Sequence, residues 1–457
     1  MKIKMIKYVF LKTGTAAVLV FTALSLLTGC KKYLDVKTNQ SYAVPAKVSD
    51  FQALLDYYPT MNTNDPGSGE VSAGDYYLDS TIYNGLSSQK DKDMYTWQKY
   101  NLYDPGYNDW SNAYNVVYVA NEVLDGLQKL PAADGLENVR GQALVFRAKA
   151  FLQIAAIWSL AYDNTSASTD LGIPLRLSSD FNLPSVRSSV AETYRRILAD
   201  LKQAVPLLPV KQLTADRPSR AAAYGLLART CLFMRDYPNA GRYADSCLQL
   251  NNHLLDFKTL DPAPTYPIPR FNAEIDFETD IPPLSPIGNR RAKIDPLLYQ
   301  SYADGDLRKI LFFRKNADGT HAFRGSYEAS SLLFSGIATD EMYLARAEAM
   351  ARQGNTAAAL ADLNTLLKTR WDDTFQPLSA ASAHDALKLV LTERRKELLM
   401  RGLRWMDLKR LNKEGAAITL TRMVNGRVYT LPPNDLRYAL PLPDDIIALS
   451  GMPQNPR

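Results

Sequence analysis

The chain has 457 residues, 46% of them hydrophobic and 22% charged, with 53 lysines and arginines against 48 acidic residues. That length is enough for one large core or for more than one. Of the net charge of +5, four units come from Lys2, Lys4, Lys7 and Lys12, so the rest of the chain is nearly neutral, which argues against the basic face a nucleic-acid partner requires.

The first segment reads as a leader. Its lysines precede an apolar run from Ala16 to Leu27, which ends in Leu27-Thr28-Gly29-Cys30. A basic head, a short apolar middle and small residues before a cleavage point describe a secretory signal. The run is short for a bilayer span, which takes about 20 residues. A cysteine directly after the small residues resembles a bacterial lipoprotein signal; the alternative is an ordinary signal with a chance cysteine. Residues 1–29 are expected to be removed and Cys30 to carry lipid, where each buried methylene contributes roughly 0.8 kcal/mol of anchoring. The mature chain is then tethered and does not span. Cys231 and Cys247 fall on the two arms of one predicted hairpin, offset along it by about 7 Å, so both are expected as buried free thiols.

Helical spacing of apolar residues predicts a helix over 114–127 (Val116, Val117, Ala120, Val123, Leu124, Leu127) and another over 141–160 (Phe146, Phe151, Ile154, Ile157). A third begins after Ser188-Ser189 and is expected to stop at Pro206. Two later hairpins read as copies of one unit. Ala228 is followed by Ala240 across Arg235-Asp236-Tyr237-Pro238-Asn239, and Ala345 by Ala357 across Arg352-Gln353-Gly354-Asn355-Thr356. Small residues at that separation suit the close helix contact of a tetratricopeptide hairpin. The fold class expected is mainly α, with tetratricopeptide-like hairpins forming a superhelical scaffold.

Two inserts interrupt the helices. Residues 57–110 hold nine tyrosines with Trp97 and Trp110, about twice the chain's aromatic content of 10%, and little helical period. Residues 261–336 are rich in proline and carry Tyr266, Tyr299, Tyr302, Phe312, Phe313, Phe323 and Tyr327. Long loops in a compact protein are functional or disordered, and aromatic-rich ones are seldom disordered.

The last third reads Glu341-Met342-Tyr343-Leu344-Ala345-Arg346-Ala347-Glu348-Ala349, then Thr392-Glu393-Arg394-Arg395-Lys396-Glu397-Leu398 and Gly402-Leu403-Arg404-Trp405-Met406-Asp407-Leu408-Lys409-Arg410, closing with Leu440-Pro441-Leu442-Pro443 and Gln454-Asn455-Pro456. Earlier blocks are Cys30-Lys31-Lys32-Tyr33-Leu34-Asp35, Ala120-Asn121-Glu122-Val123-Leu124, Arg147-Ala148-Lys149-Ala150-Phe151 and Arg217-Pro218-Ser219-Arg220-Ala221-Ala222. Taken in order, these resemble the SusD/RagB family of Bacteroidetes outer-membrane lipoproteins. The chain departs from that pattern with Arg401 before Gly402, where an acid is common, and with Arg457 as its last residue. The resemblance implies a SusD-like domain over 30–457: an N-terminal part, 30–260, and a C-terminal part, 261–457, with signature helices over 338–411. It also implies a SusC-like TonB-dependent transporter as partner, an oligosaccharide as ligand, attachment to the outer membrane through the lipid, an outward facing, and neither catalysis nor a cofactor. The charges of Glu393–Arg410 are expected to pair between helices.

Catalytic patterns are missing. His253, His321 and His384 are far apart, and no metalloprotease helix, phosphate loop or nucleophile elbow occurs. A glycosidase carboxylate pair has no fixed spacing, so an anchored hydrolase stays open as an alternative, as does a lid that never touches substrate. Two acidic clusters, Asn62, Asn64 and Asp65 with Glu70, and Asp304 with Asp306, supply too few oxygens for a hard cation and read as turn chemistry. Sugar rings stack on flat aromatic faces while polar side chains answer their hydroxyls. The ligand-contact candidates are therefore Asp75, Tyr76, Tyr77, Tyr83, Tyr95 and Trp97, with Tyr299 and Phe323 from the second insert.

Overall fold

The computed structural model describes residues 45–457; the leader, Cys30 and the Cys30–Asp35 block lie outside the described residues. Among the described residues, ten helices of eight residues or more carry the fold: α1 (Val48–Leu55), α2 (Asp109–Leu127), α3 (Leu136–Trp158), α4 (Val190–Leu207), α5 (Arg220–Phe233), α6 (Tyr237–Leu248), α7 (Thr339–Arg352), α8 (Thr356–Lys368), α9 (Ala383–Glu397) and α10 (Arg404–Asn412). The first seven after α1 each pack on their predecessor in the chain, while α9 lies against both α7 and α8. Helix α3 is buried on nearly every side, Phe146, Phe151, Ile154 and Trp158 included. A helix apolar all round belongs at the centre, and α1, α2, α4 and α10 surround it.

The helix ends differ from expectation for local reasons. Helix α2 starts five residues before the expected Tyr114, because Asn108 and Ser111 form a reciprocal capping box over a polar first turn. Ser189 caps α4 as expected, with Glu192 completing its box. The helix runs past Pro206 to Leu207, since a proline in the last turn removes a single backbone bond.

The two hairpins are α5–α6 and α7–α8. In the first, Ala228 and Ala240 are both fully buried. In the second, Ala345 is buried but Ala357 is exposed, and the buried partner is Ala359. The N-caps give the reason. Asp236 accepts from Asn239 and Asn355 from Ala358, so the fourth helical residue after each cap, Ala240 or Ala359, meets the preceding arm. In the second copy Ala359 packs with Ala351 of that arm and with Ala386 of α9. The hairpins stack where Gly241 faces α7: a β-carbon there would stand 2.7 Å from that of Ala349. Cys231 and Cys247 are buried and free, as expected.

The first insert contains four short helices, Tyr58–Met61, Ser68–Ser72, Ser80–Asn84 and Gln89–Tyr95, the last two capped by Asp79 and Ser88. The second leaves the stack between α6 and α7, which still pack on each other. It contributes short antiparallel strand pairs: Phe313–Lys315 with His321–Phe323, Asp280–Ile281 with Leu333–Phe334, and Ile275–Phe277 with Ile337–Ala338.

The signature charges are interior and paired. Arg410 grips both oxygens of Glu348 at 2.6 and 2.8 Å and reaches Asp407 at 2.7 Å, while Arg394 reaches the other Asp407 oxygen at 2.9 Å. Burial alone would raise the Asp407 carboxyl; Arg394 and Arg410 hold it at about 2 instead. A second set joins α9 to the second insert. Arg308 binds Glu393 at 2.5 Å and Glu397 at 2.8 Å, and Arg370 bridges Glu397 at 2.7 Å and Glu274 at 2.8 Å. Arg401 pairs with Asp340 at 2.8 Å and lies 4.1 Å from the Tyr327 ring centre.

Removing one partner leaves buried charge uncompensated, so Arg410→Ala should cost roughly 3–5 kcal/mol in urea unfolding, and an unchanged midpoint would contradict the architectural role. Glu70 supplies a pH test. One of its oxygens accepts from the Gly402 amide at 2.9 Å, and burial followed by the neighbouring Asp75 carboxylate pushes it up to about 8. The folded chain then keeps a proton that the unfolded chain releases near 4.5. Stability linked to Glu70 is complete below about pH 4.5 and is lost as pH rises toward 8. Glu70→Gln should flatten that decline between pH 5 and 8.

Candidate functional site

The two inserts meet edge to edge. Strand Tyr76–Tyr77 pairs antiparallel with Lys293–Ile294, in the register Tyr76↔Ile294 and Tyr77↔Lys293. Strand residues alternate faces, so Tyr76 and Ile294 turn inward and are buried, whereas Tyr77 and Lys293 are half-buried on the outer side. The Phe313–Lys315 and His321–Phe323 hairpin packs beside Lys293–Ile294 and extends this outer face.

Lys293 sits between two carboxylates on it, Asp79 and Asp318, each at 2.6 Å. Hydrogen bonds from Lys293 hold the Asp79 and Asp318 carboxyls below the usual range, so both are ionised acceptors at neutral pH. Tyr299 lies flat on His321, ring centres 3.5 Å apart and planes 13° from parallel. Burial, with Lys315 and Lys309 nearby, lowers the His321 pKa, so the imidazole is neutral. Flat half-buried rings beside ionised acceptors and an ammonium donor can stack on a sugar face and bind its hydroxyls.

The structure separates the eight candidates. Tyr77 and Tyr299 lie on the junction face. Tyr83 is half-buried, 5.9 Å from the Tyr95 ring on the short helix that Asp79 caps. Asp75, Tyr76, Tyr95, Trp97 and Phe323 are interior, and packing takes the place of the expected ligand contact. Asp75 binds Arg395 of α9 at 2.8 Å. The Tyr76 hydroxyl donates to the Val71 carbonyl at 2.8 Å, Tyr95 accepts from the Leu78 amide at 2.7 Å, and the Trp97 indole donates to Ser72 at 3.0 Å. Phe323 meets Phe312 edge to face. Of the acidic clusters, Asp65 is paired with Lys149, and Asp306 with Arg308 and Lys396.

Sequence reasoning missed Arg422, which organises the buried set. It stands on the inner side of hairpin Leu420–Val424 and Arg427–Leu431, 3.9 Å from the Tyr95 ring centre, 4.5 Å from Trp97 and 5.3 Å from Tyr76. It donates to the carbonyls of Val71 at 2.8 Å, Ala73 at 2.6 Å and Tyr95. The alternation Leu420, Arg422, Val424 ahead of an Asn425-Gly426 turn is a strand signal that would have placed it facing inward. Elsewhere, a groove of 570 Å³ lies between α2, residues 174–185 and the helix Asp444–Ser450, lined by Trp110, Tyr114, Tyr118, Phe181, Leu183 and Leu449.

The described residues form a stack of helical hairpins with two loop inserts that meet in a half-buried aromatic face. The family model described as starch-binding, associating with the outer membrane, matches residues 32–232, and the SusD family model matches 339–456. The chain belongs to the SusD/RagB family of carbohydrate-binding, outer-membrane-associated proteins. A comparison with curated protein sequences gives no match. Solved structures share the fold: a protein of Bacteroides vulgatus (21% identity, 91% of this chain and 99% of that one, TM-score 0.73), a SusD superfamily protein of Bacteroides fragilis (20%, 90% and 99%, 0.72), and a laminarin-binding SusD-like protein (17%, 89% and 97%, 0.64). Among the described residues no helix is long and apolar enough to cross a membrane.

Each carbonyl that Arg422 serves costs roughly 1–3 kcal/mol when left without a donor. Arg422→Ala should therefore speed amide hydrogen exchange across 68–97 while α5 and α6 keep their protection. Uniform exchange rates would show that the inserts are held by something else.

Proposed function

We propose that this protein is a non-catalytic receptor that captures an oligosaccharide on the junction face and passes it to a TonB-dependent transporter of the outer membrane. The observation that carries the reading is the pairing of Tyr77 with Lys293, which makes one surface of two inserts more than 200 residues apart in sequence. On that surface Tyr77 and the Tyr299–His321 pair receive ring faces, Asp79 and Asp318 accept hydroxyl protons, and Lys293 donates. A preformed, rigid platform binds with little ordering cost, and moderate affinity suits a protein that must release its cargo for import. Lipid on Cys30 tethers the chain to the outer membrane, facing outward. The laminarin-binding protein of similar fold makes laminarin the first ligand to try.

A second reading is a transporter lid that never touches substrate. The exposed Phe181 and Leu449 at the groove, 82% and 84% accessible, favour a protein partner there. The two readings separate by mutation. On a glycan array and in calorimetry, Tyr77→Ala and Tyr299→Ala should each weaken glycan binding roughly tenfold, and Phe181→Ala should leave it unchanged. Silence of the wild type toward every glycan, or binding indifferent to both tyrosines, contradicts the receptor reading.

A further inference from the structure

Below the surface of the second insert, three carboxylates converge. Glu278, just after strand Ile275–Phe277, and Asp280, at the start of strand Asp280–Ile281, are fully buried, and Glu328, from the turn before Leu333–Phe334, is 4% exposed. Their oxygens lie within 4.8 Å of one another. The register Asp280↔Phe334 draws the Glu328 segment over them, and Tyr58 of the first insert closes another side.

Donors are too few for this cluster. The Tyr58 hydroxyl faces Glu278 at 2.6 Å and Asp280 at 2.9 Å, but a phenol has one proton to give, so one of those contacts sets two acceptors together. Thr63 donates to the other Asp280 oxygen at 2.7 Å. Among the described residues the cation in ion-pair contact with the cluster is Arg270, at 2.7 Å from Glu278 and 3.1 Å from Glu328. It also stacks 4.5 Å from the Phe271 ring centre, with its side chain 36% exposed. Glu278 Oε2 and both Glu328 oxygens are shut off from solvent with no aligned hydrogen-bond donor. Such orphaned oxygens are costly in an interior; burial and the neighbouring Glu278 and Asp280 carboxylates push the Glu328 carboxyl up to about 9, so without an ion the cluster keeps a proton.

We propose that Glu278, Asp280 and Glu328 bind a hard divalent cation, calcium by its ligand chemistry. The donors are all oxygen, with no imidazole or thiolate, which selects a hard ion. Magnesium dehydrates reluctantly and keeps several waters, so a site shut off from solvent favours calcium. The ion takes the place of that proton at the three orphaned oxygens, and the partly exposed Arg270 is the group that yields to admit it. The site ties Tyr58 of the first insert and the strands of the second to one point. It is a clamp on the loops, separate from the Tyr77–Tyr299 face.

The test uses the full chain, stripped with a chelator and titrated with calcium chloride. One ion should bind in calorimetry and raise the melting temperature. Terbium at the site should luminesce through Tyr58, and calcium should displace it. Glu328→Gln, checked for folding by circular dichroism, should abolish the calcium-dependent rise and most of the luminescence, and Asp280→Asn should weaken both. Absence of binding and of any melting shift in the wild type with calcium, magnesium or manganese overturns the proposal. So does calcium binding that survives unchanged in both variants. Should Glu328→Gln fail to fold, anomalous scattering from terbium soaked into wild-type crystals decides: a peak among the three carboxylates supports the site, and peaks only elsewhere overturn it.

Discussion

Helix α9 holds the molecule together through ion pairs that are mostly buried. Glu393 and Glu397 point from it to Arg308 and Arg370 in and beside the second insert, Arg394 points to Asp407 of α10, and Arg395 points to Asp75 of the first insert. A buried charge is tolerated only when its partner and its remaining hydrogen bonds are all in place. Both inserts are consequently fixed to one helix by geometry that admits little play. Apolar packing alone is non-directional and would hold long loops against the helices without fixing their register. The ion pairs supply the register, so the strand pairing of Tyr77 with Lys293 is a consequence of where α9 places Asp75 and Asp295.

The helical scaffold was readable because its signals are local. Apolar period places α2, α3 and α4, and Ser189 and Asp236 announce their own caps. The boundaries that moved did so where a polar first turn hid a capping box, at Asn108. The second hairpin moved by two residues because its cap is Asn355, and the close contact counts from the cap and not from the nearest alanine pair. The signature charges were legible as architecture, since acids and bases a turn apart on an apolar-backed helix pair between helices.

The inserts were legible as aromatic-rich and ordered, but not as to which rings face outward. Tyr76 and Tyr77 are chemically identical neighbours, and strand parity alone sends one inward and the other outward. That parity depends on a partner strand more than two hundred residues away. Tyr95 and Trp97 are interior because Arg422, still farther along the chain, brings a guanidinium to their rings. Composition cannot report such a pairing. The alternation around Arg422 does report that an arginine points inward, and an inward arginine needs carbonyls and π-faces to receive it. An aromatic-rich loop facing such a residue should be read first as that receiver.

Most of the aromatic residues in the inserts are therefore mounting, and on the proposed reading the binding chemistry is confined to the few outward positions they hold still. This division explains how a receptor can change ligand without changing fold. Tyr77 is held by backbone strand pairing, so its side chain can vary while that support remains, whereas Asp79 caps a helix and His321 stacks on Tyr299 through the side chain itself. A substitution at Asp75 or Arg422 has no such freedom, because each satisfies partners from a different insert or hairpin. On the proposed reading, specificity lies in the outer row of the Tyr76–Tyr77 and Lys293–Ile294 ladder, and rigidity in its inner row. One strand pair separates the two duties by alternation alone.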